Sequence, residues 1–188
     1  MCCREAIRAC GLAIRSVHRL DPGSTAERLA DAERAIRRAQ QVLSPHRALA
    51  AAGFLHDAEK EYAEAHLTSA LIGGGRVPAS QELGVSVAAW LNGLAEAASE
   101  LRRHLLDRLR AGEVDRAERL LEAMEEVYEL LVTVEYPDAL TGGLRRSTDA
   151  LRAVLERSRS DVTATVVQRS LLASFEERLA RSASSAIL

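Results

Sequence analysis

The sequence predicts an all-α protein, and its composition and its proline positions are the observations that point there. Only 3% of the 188 residues are aromatic, while Ala, Leu, Arg and Glu dominate, which favours helices over strands. The four prolines, at positions 22, 45, 78 and 137, fall between periodic apolar segments, where a missing amide does least harm. The length suits one domain, and 47% hydrophobic residues can form a core. We therefore predict a single helical bundle spanning residues 1–188.

Apolar periodicity between the prolines predicts about seven helices. They cover residues 1–19, 25–43, 46–72, 84–111, 114–135, 138–157 and 160–183. Side-chain oxygens near helix starts can accept hydrogen bonds from unpaired amides, and the candidate caps are Ser24 and Thr25, Ser44 with Pro45, and Asp161. These caps would begin the second, third and seventh helices.

Glycines add predictions about helix ends and packing. Gly112 is expected to terminate the fourth helix. Gly53 and Gly93 lie inside predicted helices, where glycine costs about 1 kcal/mol relative to alanine, so both predict close helix packing. The run of glycines at 73–75 has neither a preceding strand nor a following GK[ST], and is therefore predicted to be a connector rather than a phosphate-binding loop.

Charge and cysteine content limit the class of partner and the compartment. The formal net charge is -2 with 28% charged residues, so a nucleic-acid surface would have to be a local patch. Cys2, Cys3 and Cys10 are odd in number and crowded at one end, which predicts free thiols in a reducing compartment. Adjacent cysteines also disfavour a zinc site with His18. The first residues lack a signal-peptide apolar region, so we expect a cytoplasmic protein.

Four glutamates are the candidate metal ligands. Glu61 and Glu64 are three residues apart in the third predicted helix, and Glu96 and Glu100 are four apart in the fourth, so each pair shares a helix face. If the two helices pack side by side, the pairs could reach one cation, and oxygen ligands favour magnesium, manganese or calcium over zinc. Spacing alone is also explained by ordinary solvated helix faces, and both interpretations stay open at this point.

Two other kinds of chemistry are disfavoured. Ferritin-like di-iron bundles require two ExxH motifs, but Glu64 is followed by His66, two residues on, and Glu100 by His104, four residues on. The five histidines, at 18, 46, 56, 66 and 104, are scattered and form no evident Ser/His/Asp or Cys/His arrangement. Nucleophilic catalysis is therefore not predicted.

Six stretches follow one known pattern in order along most of the chain. They are residues 3–7 (CREAI, against S-R-[DE]-I), 14–19 (IRSVHR, against I-x-x-x-H-R), 60–65 (KEYAEA, against Q-E-Y-V-E-A), 90–103 (WLNGLAEAASELRR, against Y-L-L-G-x-x-D-L-x-G-E-L-x-R), 111–114 (AGEV, against a G-D turn) and 144–151 (LRRSTDAL, against L-R-x-x-Y-D-x-L). In these motifs the chain resembles the translin/TRAX superfamily. The acids of the KEYAEA stretch resemble the catalytic, TRAX-like branch.

The resemblance implies a translin-like fold and cleavage of single-stranded RNA. Carried over by position, Glu61, Glu64, Glu96 and Glu100 would be the catalytic residues and the ligands of Mg²⁺, with Mn²⁺ as a possible substitute. Glu96 departs from the family, which usually has Asp there, so its longer side chain could alter activity or ion preference. The chain also starts close to its first motif, and RNA contacts from residues further upstream are not expected.

The implied partners are RNA and further copies of the chain. Arg103, near Glu96 and Glu100, is the predicted phosphate contact, with Arg4 and Arg8 as weaker candidates. Relatives form closed octamers that bind RNA inside, so we expect a homo-oligomer, most simply an octamer. Two alternatives stay open: a translin-like protein that binds single-stranded RNA or DNA without cutting it, and a structural helical adaptor.

Overall fold

The computed structural model describes residues 1–185, and this part of the chain is all-α, as predicted. Within it there are nine helices, three of them only four residues long. They are α1 (Cys2–His18), α2 (Pro22–Leu43), α3 (Arg47–Ala50), α4 (Phe54–Gly73), α5 (Ser80–Leu83), α6 (Val87–Arg110), α7 (Val114–Val132), α8 (Asp138–Thr141) and α9 (Leu144–Ser185). None of these helices is long and apolar enough to cross a membrane.

Helix α6 lies at the centre of the bundle. It packs against α4, α7 and α9, while α1 packs against α2 and α4. Many of the buried residues where α1, α4 and α6 meet are alanines, including Ala13, Ala63 and Ala97, each fully buried. Small side chains allow helix axes to approach closely. The bundle therefore brings the polar positions of α4 near those of α6.

Gly93 sets the closest approach between α4 and α6. A Cβ at this position would lie 2.8 Å from the Lys60 carbonyl oxygen, 2.9 Å from the Ala63 Cβ and 3.0 Å from the Glu64 backbone nitrogen. Only a residue without a side chain fits this contact, so the prediction of close packing at Gly93 is confirmed. The contact falls on the turn of α4 that carries Glu61 and Glu64.

The third predicted helix, 46–72, is divided into α3 and α4. Gly53 adopts a left-handed φ of +91° immediately before α4, and nothing lies within 4 Å of the position of its missing Cβ. Gly53 therefore breaks the predicted helix and does not lie at a close helix contact. The prediction of close helix packing at Gly53 is wrong. Ser44 is also not an N-cap, because it follows the end of α2, and His46 precedes α3.

The start of α2 and the end of α6 also test the cap predictions. The N-cap of α2 is Asp21, whose carboxylate accepts a 3.0 Å hydrogen bond from the Ser24 amide, so Ser24 and Thr25 lie inside the helix and do not cap it. The helix starts earlier because Pro22 suits its first position. Gly112, with φ +77°, follows the end of α6 and terminates it as predicted.

The C-terminal region has a short helix, α8, followed by one long helix, α9, in place of the predicted helices 138–157 and 160–183. Gly142 and Gly143 both have positive φ and separate α8 from α9. No Pro or Gly occurs between residues 144 and 185, so nothing in the sequence interrupts α9. Asp161 therefore lies in the middle of α9, where its carboxylate accepts a 2.7 Å hydrogen bond from Arg102 and caps no helix.

Candidate metal centre

Glu61 and Glu64 of α4 converge with Glu96 of α6. Each offers a carboxylate oxygen, and the three oxygens all lie within 4.8 Å of one another. Oxygens that share one magnesium or calcium ion lie at most about 4–5 Å apart, because the metal–oxygen distances are about 2.0–2.6 Å. The donor set, three carboxylates and no sulfur or imidazole, therefore fits a hard divalent cation.

Burial makes this cluster costly to ionise fully. Glu64 is only 7% exposed. Burial, together with the charges of Glu96, Glu61 and Glu100, raises the pKa of Glu64 to about 9. Burial also raises the pKa of Glu61, although the neighbouring Lys60 opposes the rise. Poorly solvated, mutually repelling carboxylates are the environment that a bound cation stabilises.

Lys60 is a member of this cluster that the sequence analysis missed. Its Nζ donates a 2.7 Å hydrogen bond to Glu96 and lies 3.6 Å from a Glu61 oxygen. Burial lowers the pKa of Lys60, but the bond to Glu96 and the charges of the glutamates outweigh it and raise the pKa above its usual value. A signal was available, because Lys60 is the one lysine among the 25 lysine and arginine residues of the chain.

Glu100 lies beside the group of three and is held by a different partner. Its carboxylate accepts a 2.8 Å hydrogen bond from Nε2 of His18 in α1, whose side chain is only 2% exposed. This bond lowers the pKa of Glu100 despite burial, and the charge of Arg103 acts in the same direction. The sequence placed His18 in no evident catalytic arrangement. The structure makes it the residue that orients Glu100.

Cys10 of α1 lies close enough to Glu61 and Glu64 to be affected by their charges. It is fully buried, and burial together with the charges of Glu61 and Glu64 raises its pKa to about 12. The thiol is therefore neutral and unreactive at ordinary pH. All three cysteines are free thiols, as predicted.

The three candidate RNA-contacting arginines are all exposed, but they differ in position. Arg103 is near enough to Glu100 to influence its pKa. Arg8 lines a groove between α1 and α2 together with Arg28 and Arg38. Within residues 1–185, no ion pair or side-chain hydrogen bond joins Arg4 or Arg8 to the carboxylates. Of the three, Arg103 is the one associated with the carboxylate cluster.

The fold and the site together define an all-α protein with a half-buried carboxylate centre between two central helices. No family model matches the chain. The crystal structure of AfC3PO is similar, with 32% identity and a TM-score of 0.76 over 89% of this chain and 87% of that one. AfC3PO in complex with duplex RNA gives 31% identity and a TM-score of 0.75 over the same shares of the two chains.

With these similarities and the ordered motifs described above, the chain belongs to the translin superfamily. Two further proteins are similar at lower identity. Apo-NeC3PO shares the fold at 22% identity, with a TM-score of 0.77 over 87% of each chain. An uncharacterised protein of Methanocaldococcus jannaschii is 26% identical over 161 residues, which are 85% of this chain and 71% of that protein.

Proposed function

We propose that this protein is a Mg²⁺-dependent endoribonuclease of the TRAX-like type. The observation that carries the proposal is the convergence of Glu61, Glu64 and Glu96, whose ligand oxygens lie within 4.8 Å of one another. Membership of the superfamily and the TRAX-like acids of the KEYAEA motif support the same activity. Mn²⁺, which accepts similar oxygen ligands, is expected to substitute.

Each residue near the centre has a proposed role in phosphodiester hydrolysis. Glu61, Glu64 and Glu96 would hold the cation, which when bound would lower the pKa of a coordinated water and stabilise charge on the phosphoryl oxygens. His18 and Arg103 lower the pKa of Glu100 and keep it ionised, so Glu100 is proposed as a further carboxylate ligand of the cation. Arg103 is exposed next to Glu100 and offers its guanidinium to a phosphate oxygen.

RNA is the proposed substrate because a structure 31% identical to this chain is a complex of AfC3PO with duplex RNA. The sequence resemblance favours single strands. Few aromatic side chains are available for base stacking, since only 3% of residues are aromatic, so little sequence preference is expected. Duplex and single-stranded RNA of the same sequence should therefore be compared directly.

We also propose that the chain forms a homo-oligomer, with the octamer as the expected state. The C-terminal half of α9 supports this proposal, because every side chain from Val166 to Leu179 is exposed, including Leu172, Phe175 and Leu179. An apolar stretch of this kind is usually covered by a partner. A closed shell would place RNA and the carboxylate centre in one compartment.

One observation favours a second candidate function, RNA binding without cleavage. The ammonium of Lys60 already neutralises part of the cluster through Glu96, and Glu96 stands where TRAX-like proteins usually have Asp. A cluster satisfied by its own lysine would need no metal ion. The chain would then hold RNA as translin-like binding proteins do.

Cleavage of 5′-labelled RNA separates these functions. Wild-type protein is incubated with single-stranded and duplex RNA in Mg²⁺, in Mn²⁺ and in EDTA, beside a Glu61→Gln/Glu64→Gln double variant. We expect cleavage in either ion, none in EDTA, and a loss of at least about 100-fold in the variant, since its ligands lose their charge. Glu27→Gln, an exposed glutamate outside the cluster, is the matched control.

The binding alternative predicts a different pattern. Wild type and double variant would then retain RNA equally in a gel-shift assay, and neither would cut in any ion. Elution volume and helical circular dichroism must match between variants, so that loss of cutting reflects the site and not the fold. Undiminished cleavage by the double variant would show that Glu61 and Glu64 are not required for the reaction.

A further inference from the structure

The chain contains one lysine, Lys60, and it lies in the carboxylate cluster. The sequence has 25 lysine and arginine residues, of which Lys60 is the one lysine. The family motif around it has glutamine at the corresponding position. The positive charge beside the proposed metal ligands therefore belongs to a residue type that occurs nowhere else in the chain.

The contacts of Lys60 are those of a counter-ion inside the cluster. Its side chain is only 21% exposed, and its Nζ lies 2.7 Å from Glu96 and 3.6 Å from Glu61, which are two of the three proposed ligands. The nearby carboxylate of Glu59 is engaged elsewhere, with Gln40 and the Ser86 amide. The ammonium therefore engages two of the three carboxylates that a cation would use.

Chemistry favours lysine over arginine for this position. An ammonium is a compact point charge that fits between converging oxygens, whereas a guanidinium is broad, planar and suited to paired contacts at a surface. Part-burial strengthens the attraction between Lys60 and Glu96 relative to an exposed ion pair. Like a metal ion, the ammonium relieves the repulsion among the three carboxylates.

We propose that Lys60 is a tethered counter-ion that competes with the divalent cation for Glu96 and Glu61 and so sets the ion concentration at which the centre fills. This inference rests on the proposed metal-dependent function. Because the ammonium and the ion bind the same two carboxylates, and their positive charges repel each other, binding of the ion is proposed to break the Lys60–Glu96 contact. By linkage, whatever stabilises that contact weakens ion binding by the same factor.

Ion binding measured without any RNA tests the competition. Free Mn²⁺ is followed by electron paramagnetic resonance during titration of wild type, Lys60→Gln and Arg76→Gln, with Mg²⁺ added as competitor. Lys60→Gln removes the charge and keeps a polar side chain of similar length. Arg76→Gln makes the same charge change at a residue paired with Glu82, away from the cluster.

We expect Lys60→Gln to bind Mn²⁺ about tenfold more tightly than wild type, as suits loss of a part-buried competing charge. Arg76→Gln should match wild type. In EDTA, Lys60→Gln should melt at a lower temperature than wild type, because the carboxylates lose their counter-ion. Saturating Mg²⁺ should raise the melting temperature of Lys60→Gln by more than it raises that of wild type. Equal or weaker Mn²⁺ binding by Lys60→Gln would overturn the inference.

A second readout uses unmutated protein. Reductive methylation with ¹³C-formaldehyde labels Lys60 and the N-terminal amine and keeps the positive charge, and the Lys60 signal is identified by its absence in Lys60→Gln. Mg²⁺ should move this signal to a new position as the ammonium leaves Glu96. A Lys60 signal that stays in place while Mn²⁺ binding is detected would contradict displacement.

The outcomes also separate this inference from the proposed nuclease. If wild type binds ion and cuts RNA but Lys60→Gln binds no more tightly, the nuclease stands and the counter-ion role is wrong. If Lys60→Gln binds Mn²⁺ and wild type does not, the counter-ion role stands and the wild-type chain is a binding protein. If neither wild type nor Lys60→Gln binds Mn²⁺, both the metal-dependent nuclease and the counter-ion role are wrong.

Discussion

At the scale of single residues, the carboxylate centre combines features that favour binding a cation and weaken the fold in its absence. Glu64 is almost completely buried and faces two further carboxylates. Lys60 offsets part of this repulsion. His18, on a different helix, fixes Glu100 instead. Buried, mutually repelling charges of this kind are common at functional sites, and they lower the stability of the fold.

The raised pKa of Glu64 predicts a pH dependence of stability without metal. A carboxyl whose folded pKa is about 9 against an ordinary value of 4.5 binds a proton more tightly when folded. Its contribution is fully present below pH 4.5 and is lost as pH rises through about 9. In EDTA, the urea midpoint of wild type should therefore fall more steeply between pH 5 and 9 than that of Glu64→Gln.

The same variant should be more stable than wild type at pH 8 in EDTA, because folded Glu64, with a pKa of about 9, must take up a proton on folding at that pH, whereas the amide need not. Glu27→Gln, at an exposed position, should show the wild-type slope. If the urea midpoints of wild type and Glu64→Gln changed in parallel with pH, Glu64 would ionise in the folded protein without a cost in unfolding free energy.

At the scale of helices, the contact between α4 and α6 assembles the centre. The two helices supply all three converging carboxylates, and at Gly93 they approach so closely that no room is left for a Cβ. Helix α1 closes the other side through Cys10 and His18. The geometry of the site therefore depends on a packing contact that bears no charge.

Gly93→Ala should disrupt this contact. The added methyl would meet the Lys60 carbonyl at 2.8 Å and the Ala63 Cβ at 2.9 Å, and such overpacking costs about 1–3 kcal/mol in unfolding free energy. Mn²⁺ affinity should fall as well, since α4 and α6 must separate. Urea unfolding and Mn²⁺ titration measure the two effects.

Gly11→Ala is the control for this variant. Gly11 lies inside α1 with nothing within 4 Å of the added methyl, so alanine should stabilise the protein by about 0.5–1 kcal/mol through helix propensity. If Gly93→Ala also stabilised the protein, the close approach of α4 and α6 would not be limiting.

At the scale of the whole molecule, the exposed end of α9 bears on assembly. Core packing along α9 extends to Val162, and from Val166 to Leu179 every side chain is exposed. At about 100° per residue, Val167, Leu171, Leu172, Phe175 and Leu179 fall on one face of the helix. A helix whose apolar face is not covered by any of the residues that the structure describes is suited to contact another subunit.

Charges placed on this face should break the oligomer. Leu172 is 63% exposed and Phe175 is 60% exposed, so Leu172→Glu/Phe175→Glu should leave the fold of a single subunit unchanged. Light scattering after size-exclusion chromatography should show a smaller particle than wild type. Ala173→Glu, on the opposite face of the same helix, should elute like wild type. Equal masses for all three proteins would exclude this face from the assembly.

How much could be predicted from the sequence depended on whether a signal was local. Helical content, the glycine stop after α6 and the close contact at Gly93 follow from residue types along the chain, and all were predicted. The break at Gly53 and the fusion of the last two predicted helices into α9 were missed. A glycine can break a helix or let one pack closely, and only the surrounding contacts decide between these outcomes.

The sequence by itself determined the all-α class, the superfamily motifs and the four glutamates in two pairs. Spacing within a helix fixes which side chains share a face, so each pair was visible before the helices were placed. Only the tertiary structure decided that Glu61, Glu64 and Glu96 converge, that Glu100 is bound to His18, and that Lys60 lies among the carboxylates. These relations join residues 36 and 82 positions apart, and they exist because close helix packing brings together charges that no local pattern connects.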